Sequence, residues 1–342
     1  MSWRGTIKTR KEDPRIGITT TIPIEIVFAA GYLPVDLNNL FVAHPKPNQL
    51  IDEAERKGYP RSFCAWIKGI YSVVKESDIP RVVGVTQGDC SNTHALIETL
   101  IDDGIEVFTF AYPFDRDKRT LAGELGKFAE RLGTDLKEAQ EWKGRLDEIR
   151  GQALKLDEEN IEHQRINAGE LNNLLLSTSD MMAGDLDEYR RVLDEVQKAG
   201  ANTEEDSSSR SREIRLGIAG VPFIFTDLLE WLERRDGVRV VYLEIPRQFA
   251  MPAKSADLVE QYWHYTYPYG IFPRLADING EIKRRRIDGL IHYVQGFCYR
   301  QVEDIILRRH LSIPMLTLEG DRPNALDAKS ILRLETFLEM LN

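Results

Sequence analysis

Apolar and polar positions in the first third of the chain switch between two periods. Residues 81–86 (RVVGVT) form a short β-branched run, the composition of a parallel strand buried between helices. Gln87-Gly88-Asp89-Cys90 follows, and Ser91-Asn92-Thr93 then opens a helix expected to reach Leu100. Residues 105–110 (IEVFTF) are the next strand. Strand, loop, helix and strand within about thirty residues make a βαβ unit, which implies a parallel sheet covered by helices. Before it, residues 24–30 read as a short helix that starts on Pro23 and stops at Gly31.

The middle third changes character. From Asp115 to about Ala199 the chain is rich in Glu, Lys, Leu and Arg at helical spacing, the pattern of charged amphipathic helices. Residues 202–211 (NTEEDSSSRS) are polar, acidic and serine-rich, a linker by composition. Alternation then returns. Strands are expected at 215–219, 238–243, 289–294 and 313–318, and helices at 226–234, 272–286, 301–309 and 325–341. The predicted class is α/β. A first domain (1–114) carries Cys64 and Cys90, a charged helical segment (115–201) bridges the domains, a linker follows (202–212), and a second domain (213–342) carries Cys298.

The two halves align on two cysteines. Gln87-Gly88-Asp89-Cys90 matches Gln295-Gly296-Phe297-Cys298, and without a gap Ile105 then meets Ile313 and Thr109 meets Thr317. The pattern reads as two copies of one βαβ unit. Ligands of open α/β sheets bind beyond the carboxyl ends of the strands, where both cysteines lie. Gly88 and Gly296 before them allow close approach of a substrate to the backbone.

Composition narrows the chemistry. The 342 residues suffice for two domains with separate cores, and 42% hydrophobic with 29% charged residues is a globular composition. The net charge of −10 opposes nucleic acid and anionic lipid unless a local basic patch intervenes. No window approaches the roughly twenty apolar residues of a membrane span, and Met1-Ser2-Trp3-Arg4-Gly5 has no apolar signal core, so a cytoplasmic location is expected. Three cysteines without a C-x-x-C pair are no disulfide framework. They read as buried thiols, as a Cys90–His94 pair one helical turn apart, or as metal ligands. A helix N-terminus contributes only about 0.3–1 kcal/mol and would not ionise a thiol by itself, whereas a metal would. Structural zinc normally takes four ligands at short spacings, which this sequence lacks; three dispersed thiolates suit a cluster with one open iron.

The stretch Thr19-Thr20-Thr21-Ile22-Pro23-Ile24-Glu25-Ile26-Val27-Phe28-Ala29-Ala30-Gly31-Tyr32-Leu33-Pro34-Val35 resembles the N-terminal signature of the 2-hydroxyacyl-CoA dehydratase D-component family, which also holds benzoyl-CoA reductase subunits and double-cubane cluster proteins. Pro314-Met315-Leu316-Thr317-Leu318-Glu319-Gly320-Asp321-Arg322 and the closing helix are similar as well, and the likeness runs the length of the chain. The resemblance implies two Rossmann-like domains and an iron–sulfur cluster, [4Fe–4S] or double cubane, held by Cys64, Cys90 and Cys298. It implies an ATP-hydrolysing iron–sulfur activator that delivers one low-potential electron, an acyl-CoA substrate dehydrated through a ketyl radical under anaerobic conditions, and a homodimer or a heterodimer with a related subunit. One departure is Ser91 directly after Cys90, where the dehydratases often carry Asp. A double cubane needs about six thiolates, more than one such chain supplies. A double-cubane-type reductase, a cluster carrier without dehydratase activity and a zinc-stabilised α/β protein are the other readings.

The remaining features divide between structure and binding. Lys283-Arg284-Arg285-Arg286 is a dense basic run, either a solvated helix end or a dock for CoA phosphates through Lys283 and Arg284, or for the activator. Residues 262–269 (YWHYTYPY) read as a packing or dimer surface. Glu25, inside the family-like signature, is either a solvated helix residue or a substrate-orienting acid–base group. Gly217-Ile218-Ala219-Gly220 lacks the third glycine of a dinucleotide fingerprint, and there is no P-loop lysine motif, so any ATP use belongs to a partner. Glu319 and Asp321 follow the last strand and either line the site or begin a turn.

Overall fold

The computed structural model describes residues 13–201 and 213–342, so the linker expected at 202–212 and the stretch 1–12 lie outside the described residues. Two compact units emerge. Among the described residues, unit 1 holds the chain up to Glu148 with Ser177–Tyr189 and Ala253–Pro268; unit 2 holds Ile149–Leu176, Arg190–Pro252 and Tyr269–Asn342. The residues of the charged helical segment are shared between the two, and the helix Leu136–Glu162 has its first part in unit 1 and the rest in unit 2.

The sheet of unit 1 contains β1 (Arg15–Ile18), β2 (Leu33–Asp36), β3 (Arg81–Gln87) and β4 (Glu106–Ala111), all parallel, in the order β2-β1-β3-β4. The sheet of unit 2 contains β5 (Ile214–Gly220), β6 (Val238–Leu243), β7 (Gly289–Gln295) and β8 (Met315–Gly320), again parallel, in the order β6-β5-β7-β8. The α/β class with two Rossmann-like sheets is therefore what the chain adopts. β1 and β2 are not singled out by the hydrophobic pattern because each is four residues long and carries Gly17 or Pro34.

The sheets repeat in register as well as in order. Val82 lies beside Val107 and Leu290 beside Met315, 25 residues on in both cases. Gly17 pairs with Val82, and Gly217 with Leu290. Each first strand thus carries the same Arg-x-Gly-Ile pattern, Arg15 to Ile18 and Arg215 to Ile218. In unit 2 all residues of β5, β6 and β7 are buried, as sheets packed on both faces require. Leu216, Ile218 and Ile291 face one layer with Leu232, Leu334 and Phe337. Ala219 and Leu290 face the other with Leu275, Ile278, Ile282 and Leu307.

Ends of elements follow their caps. The last helix begins at Ala328 rather than 325 because Asp327 accepts the Ser330 N–H at 2.7 Å. The helix expected at 301–309 divides into a 3-10 turn, Tyr299–Val302, and a helix, Glu303–His310.

Candidate functional site

Each cysteine occupies the residue just before a helix. Cys64 precedes Ala65–Glu76, Cys90 precedes Ser91–Asp102, and Cys298 precedes the turn Tyr299–Val302. None of the three side chains makes a cap hydrogen bond and none is in a disulfide. A thiol is a poor cap, so helix propensity does not explain this placement. Cys64 is buried, and its carbonyl accepts the Lys68 N–H at 3.2 Å. The buried Lys68 ammonium ties that entry down by donating to Glu55 at 2.8 Å and to the Arg61 carbonyl at 3.2 Å.

The Cys90 turn is held by Asp89, which accepts the Cys90 N–H at 2.7 Å and the Thr93 hydroxyl at 2.9 Å. Burial, then the Asp89 charge, pushes the Cys90 thiol up to about 11. That is the opposite of what an activated nucleophile needs. His94 directs Nε2 to the Thr86 carbonyl at 2.8 Å, so the geometry does not build a Cys90–His94 pair. Gly88 has φ +99°, and a Cβ there would lie 2.9 Å from both Pro268 and Tyr112.

The matching turns differ in detail because a register shift between Val85 and Gln87 interrupts the ladder of β3 with β4, while β7 and β8 run unbroken. A one-residue slip turns a strand side chain to the other face. Gln87 is consequently exposed, whereas Gln295 is buried, accepts from Tyr293 at 2.9 Å and donates to the Asp321 carbonyl at 2.7 Å. In unit 2 the left-handed residue is Phe297 (φ +63°), and a Cβ on Gly296 would meet Asp321 at 3.1 Å. Glu319 accepts from Gln301 at 3.4 Å.

Glu25 is completely buried, not solvated. Its Oε1 accepts from Gln261 and its Oε2 from the Tyr262 hydroxyl, both at 2.7 Å. The aromatic stretch around it is packing: Tyr262 and Tyr265 are buried and lean on Tyr112. Tyr262→Phe is expected to lower stability by about 1.5 kcal/mol, since it removes a donor from a buried carboxylate. Chemical denaturation measures this, and an unchanged midpoint would mean that Tyr262 does not hold Glu25.

The basic run is met by acids. Arg284 pairs with Glu281 at 2.6 Å and with Glu158. Arg285 is buried, bidentate to Asp157 at 2.9 and 2.6 Å, and Arg286 reaches Glu162 at 2.7 Å. Lys283 is exposed.

The family profile described as 2-hydroxyglutaryl-CoA dehydratase, D-component, matches residues 19–341. The chain belongs to that family. As a D-component chain it is a 2-hydroxyacyl-CoA dehydratase-like subunit. No match was found among curated proteins. Within the D-component match lie all three cysteines, Glu25, both Gly-x-Cys turns and the basic run. Among the described residues no group of three or more His, Cys, Asp or Glu is gathered as a metal-holding set; Cys64 and Cys90 belong to unit 1 and Cys298 to unit 2. No described helix is long and apolar enough to cross a membrane. The donor chemistry fits an iron–sulfur cluster: soft thiols, at helix starts, with side chains unused for capping.

Polar residues outside every sequence motif are buried in this D-component chain. Asp36 accepts from Ser179 at 2.6 Å, and Asp180 accepts the Asp36 N–H at 2.8 Å, with both acids buried. After Asp180, the four residues Met181 to Gly184 all have positive φ, a left-handed turn that L residues resist. His292 sets Nδ1 3.0 Å from Asp304, which also accepts from Thr317 at 2.6 Å and Arg308 at 2.7 Å, and lies well below the usual carboxylate range through these bonds despite its burial. Arg274 and Arg285 were legible in principle. They fall on the apolar stripe Ile271, Ile278, Ile282 of their helix, and a charge on such a stripe signals a buried partner.

Proposed function

We propose that this chain is an iron–sulfur subunit in which Cys64, Cys90 and Cys298 are the thiolate ligands of a [4Fe–4S] cluster. Such a cluster would supply a low-potential electron and an open iron for the oxygen of an acyl-CoA substrate. The observation that carries the reading is the placement of all three thiols at helix entries, two of them on corresponding turns of a duplicated βαβ unit. Asp89 and Lys68 hold their turns through bonds to the Cys90 N–H and to the Arg61 carbonyl. Gly88 and Gly296 bring the backbone close to whatever binds beyond the strand ends. Lys283 and Arg284 are the proposed cations for CoA phosphates; they end the helix that leads into the amino end of β7, the end away from Cys298, and at Arg284 a phosphate would compete with Glu281 and Glu158. Glu25, held by Gln261 and Tyr262, is the acid–base candidate of this reading. Membership of the D-component family supports an ATP-hydrolysing activator as electron donor and pairing with a second copy or a related subunit in the cytoplasm.

Anaerobically reconstituted protein is expected to be brown and to hold about four irons per chain. Cys90→Ser and Cys298→Ser should each lose most of that iron while keeping the circular dichroism of the parent. Colourless, iron-free parent protein would overturn the proposal.

A further inference from the structure

The two corresponding cysteine turns share a backbone bond, from the Thr93 N–H to the Cys90 carbonyl at 3.1 Å and from the Gln301 N–H to the Cys298 carbonyl at 3.2 Å, but differ in their side-chain anchors. In unit 1 the residue before the cysteine is Asp89, whose carboxylate fixes the turn. The matching residue in unit 2 is Phe297, which cannot do this and is exposed. There the Cys298 N–H donates to the Gln295 carbonyl at 3.0 Å, which also accepts the Gln301 side-chain amide at 3.0 Å, so the place of this turn depends on where the segment just after Cys298 is set.

A chain of buried ion pairs lies behind it. Arg274 has no exposed surface. Its Nε and Nη2 donate to Glu244 at 2.8 and 2.9 Å, its Nη2 to the Gly220 carbonyl at 2.9 Å, and its Nη1 to Glu303 Oε2. The other oxygen of Glu303 accepts from Arg300 Nη1 at 2.9 Å, and Arg300, two residues beyond Cys298, is itself buried. Glu244 in turn accepts the Gly220 N–H at 2.9 Å. One guanidinium thus joins the end of β5, the exit of β6 and the helix start at Glu303 to the 3-10 turn after Cys298. Guanidinium forks with carboxylates on both sides are geometrically demanding, which makes them good position-setters whatever their net contribution to stability.

We infer that Arg274 is the positioning residue for Cys298, acting through Glu303 and Arg300. This rests on the reading of Cys298 as a cluster ligand for its purpose, but its test does not depend on iron. Iron-free protein is alkylated anaerobically with iodoacetamide, and the rates at Cys298 and Cys90 are read separately by mass spectrometry. Glu303→Gln keeps the shape of the side chain but weakens both of its ion pairs. It is expected to raise the Cys298 rate about tenfold through local opening and to leave Cys90 unchanged. Arg274→Lys should act in the same direction, and amide exchange over 296–303 should quicken with it.

A role in general stability alone would move both cysteines or neither, so an unchanged ratio of rates in folded Glu303→Gln overturns the inference. Should Arg274→Lys fail to fold, Glu303→Gln decides alone. Iron uptake by the parent protein separates the two claims. A mobilised Cys298 in a chain that takes up no iron upholds the positioning and rejects the cluster. A parent that binds iron, with the ratio unchanged in Glu303→Gln, does the reverse.

Discussion

Asp180→Asn is expected to gain on the parent protein by about 2–3 kcal/mol as the pH rises from 5 to 8. Asp180 is buried, its Oδ1 has no hydrogen-bond partner among the described residues, and Asp36 lies against it. Burial first, and then the Asp36 charge, pushes the Asp180 carboxyl up to about 7 from an ordinary value of 3.8. Asp36 is also raised by burial, although its bonds from Ser179 and Asn38 work the other way. Between pH 4 and 7 the folded chain keeps a proton on Asp180 that the unfolded chain has released. Stability therefore falls as pH rises through that window and levels off above it. An asparagine can still accept the Asp36 N–H and carries no charge, so that part of the slope disappears. Urea denaturation of both proteins at pH 5 and pH 8 gives the answer; parallel pH profiles would show that Asp180 is ionised throughout. The left-handed turn Met181 to Gly184 follows this acid directly, and a strained segment persists where its surroundings over-determine it.

Gly88→Ala is expected to cost about 3 kcal/mol and Gly296→Ala about 1 kcal/mol or less, although the two glycines occupy the same place in the repeated motif. At Gly88 the backbone is left-handed at φ +99°, and the new methyl group would lie 2.9 Å from Pro268 and from Tyr112, which is itself fully buried. Neither neighbour can retreat without moving the core. At Gly296 the conformation is ordinary for an L residue, and the nearest atom, at 3.1 Å, is an oxygen at the end of the Asp321 side chain, which can turn aside. Denaturation midpoints compare the variants directly. In reconstituted protein, iron content should follow the same order, with the Gly88 variant losing more. Equal losses would mean that the register shift before Gln87 does not distinguish the turns.

Much of the fold was legible. Residues 238–243 were expected as a strand and form β6 with the same bounds, because an uninterrupted β-branched run buried on both faces has few alternatives. The match of Gln-Gly-x-Cys turns pointed to a repeat, and the sheets repeat in strand order and in the 25-residue offset of their last pairs. β1 was not found from hydrophobicity, yet its Arg-x-Gly-Ile echo in β5 was available to an alignment shifted by 200 rather than 208 residues. Glu25 could not be judged from its neighbours, since Gln261 and Tyr262 lie more than two hundred residues away.

What the sequence determined by itself is the α/β class, two similar βαβ units, and the position of Cys90 and Cys298 after strands. These follow from local composition and spacing, which act over one βαβ unit. What only the tertiary structure decided is how the polar groups are used. The four-residue basic run read as a solvated helix end or a phosphate dock, but its three arginines face Asp157, Glu158, Glu162 and Glu281. Two Gly-x-Cys turns that look alike are anchored by Asp89 in one unit, and in the other stand beside a buried Arg274–Glu303–Arg300 chain. The physical reason is that desolvated charges must find opposite partners, and the fold supplies those partners from segments that no local pattern connects.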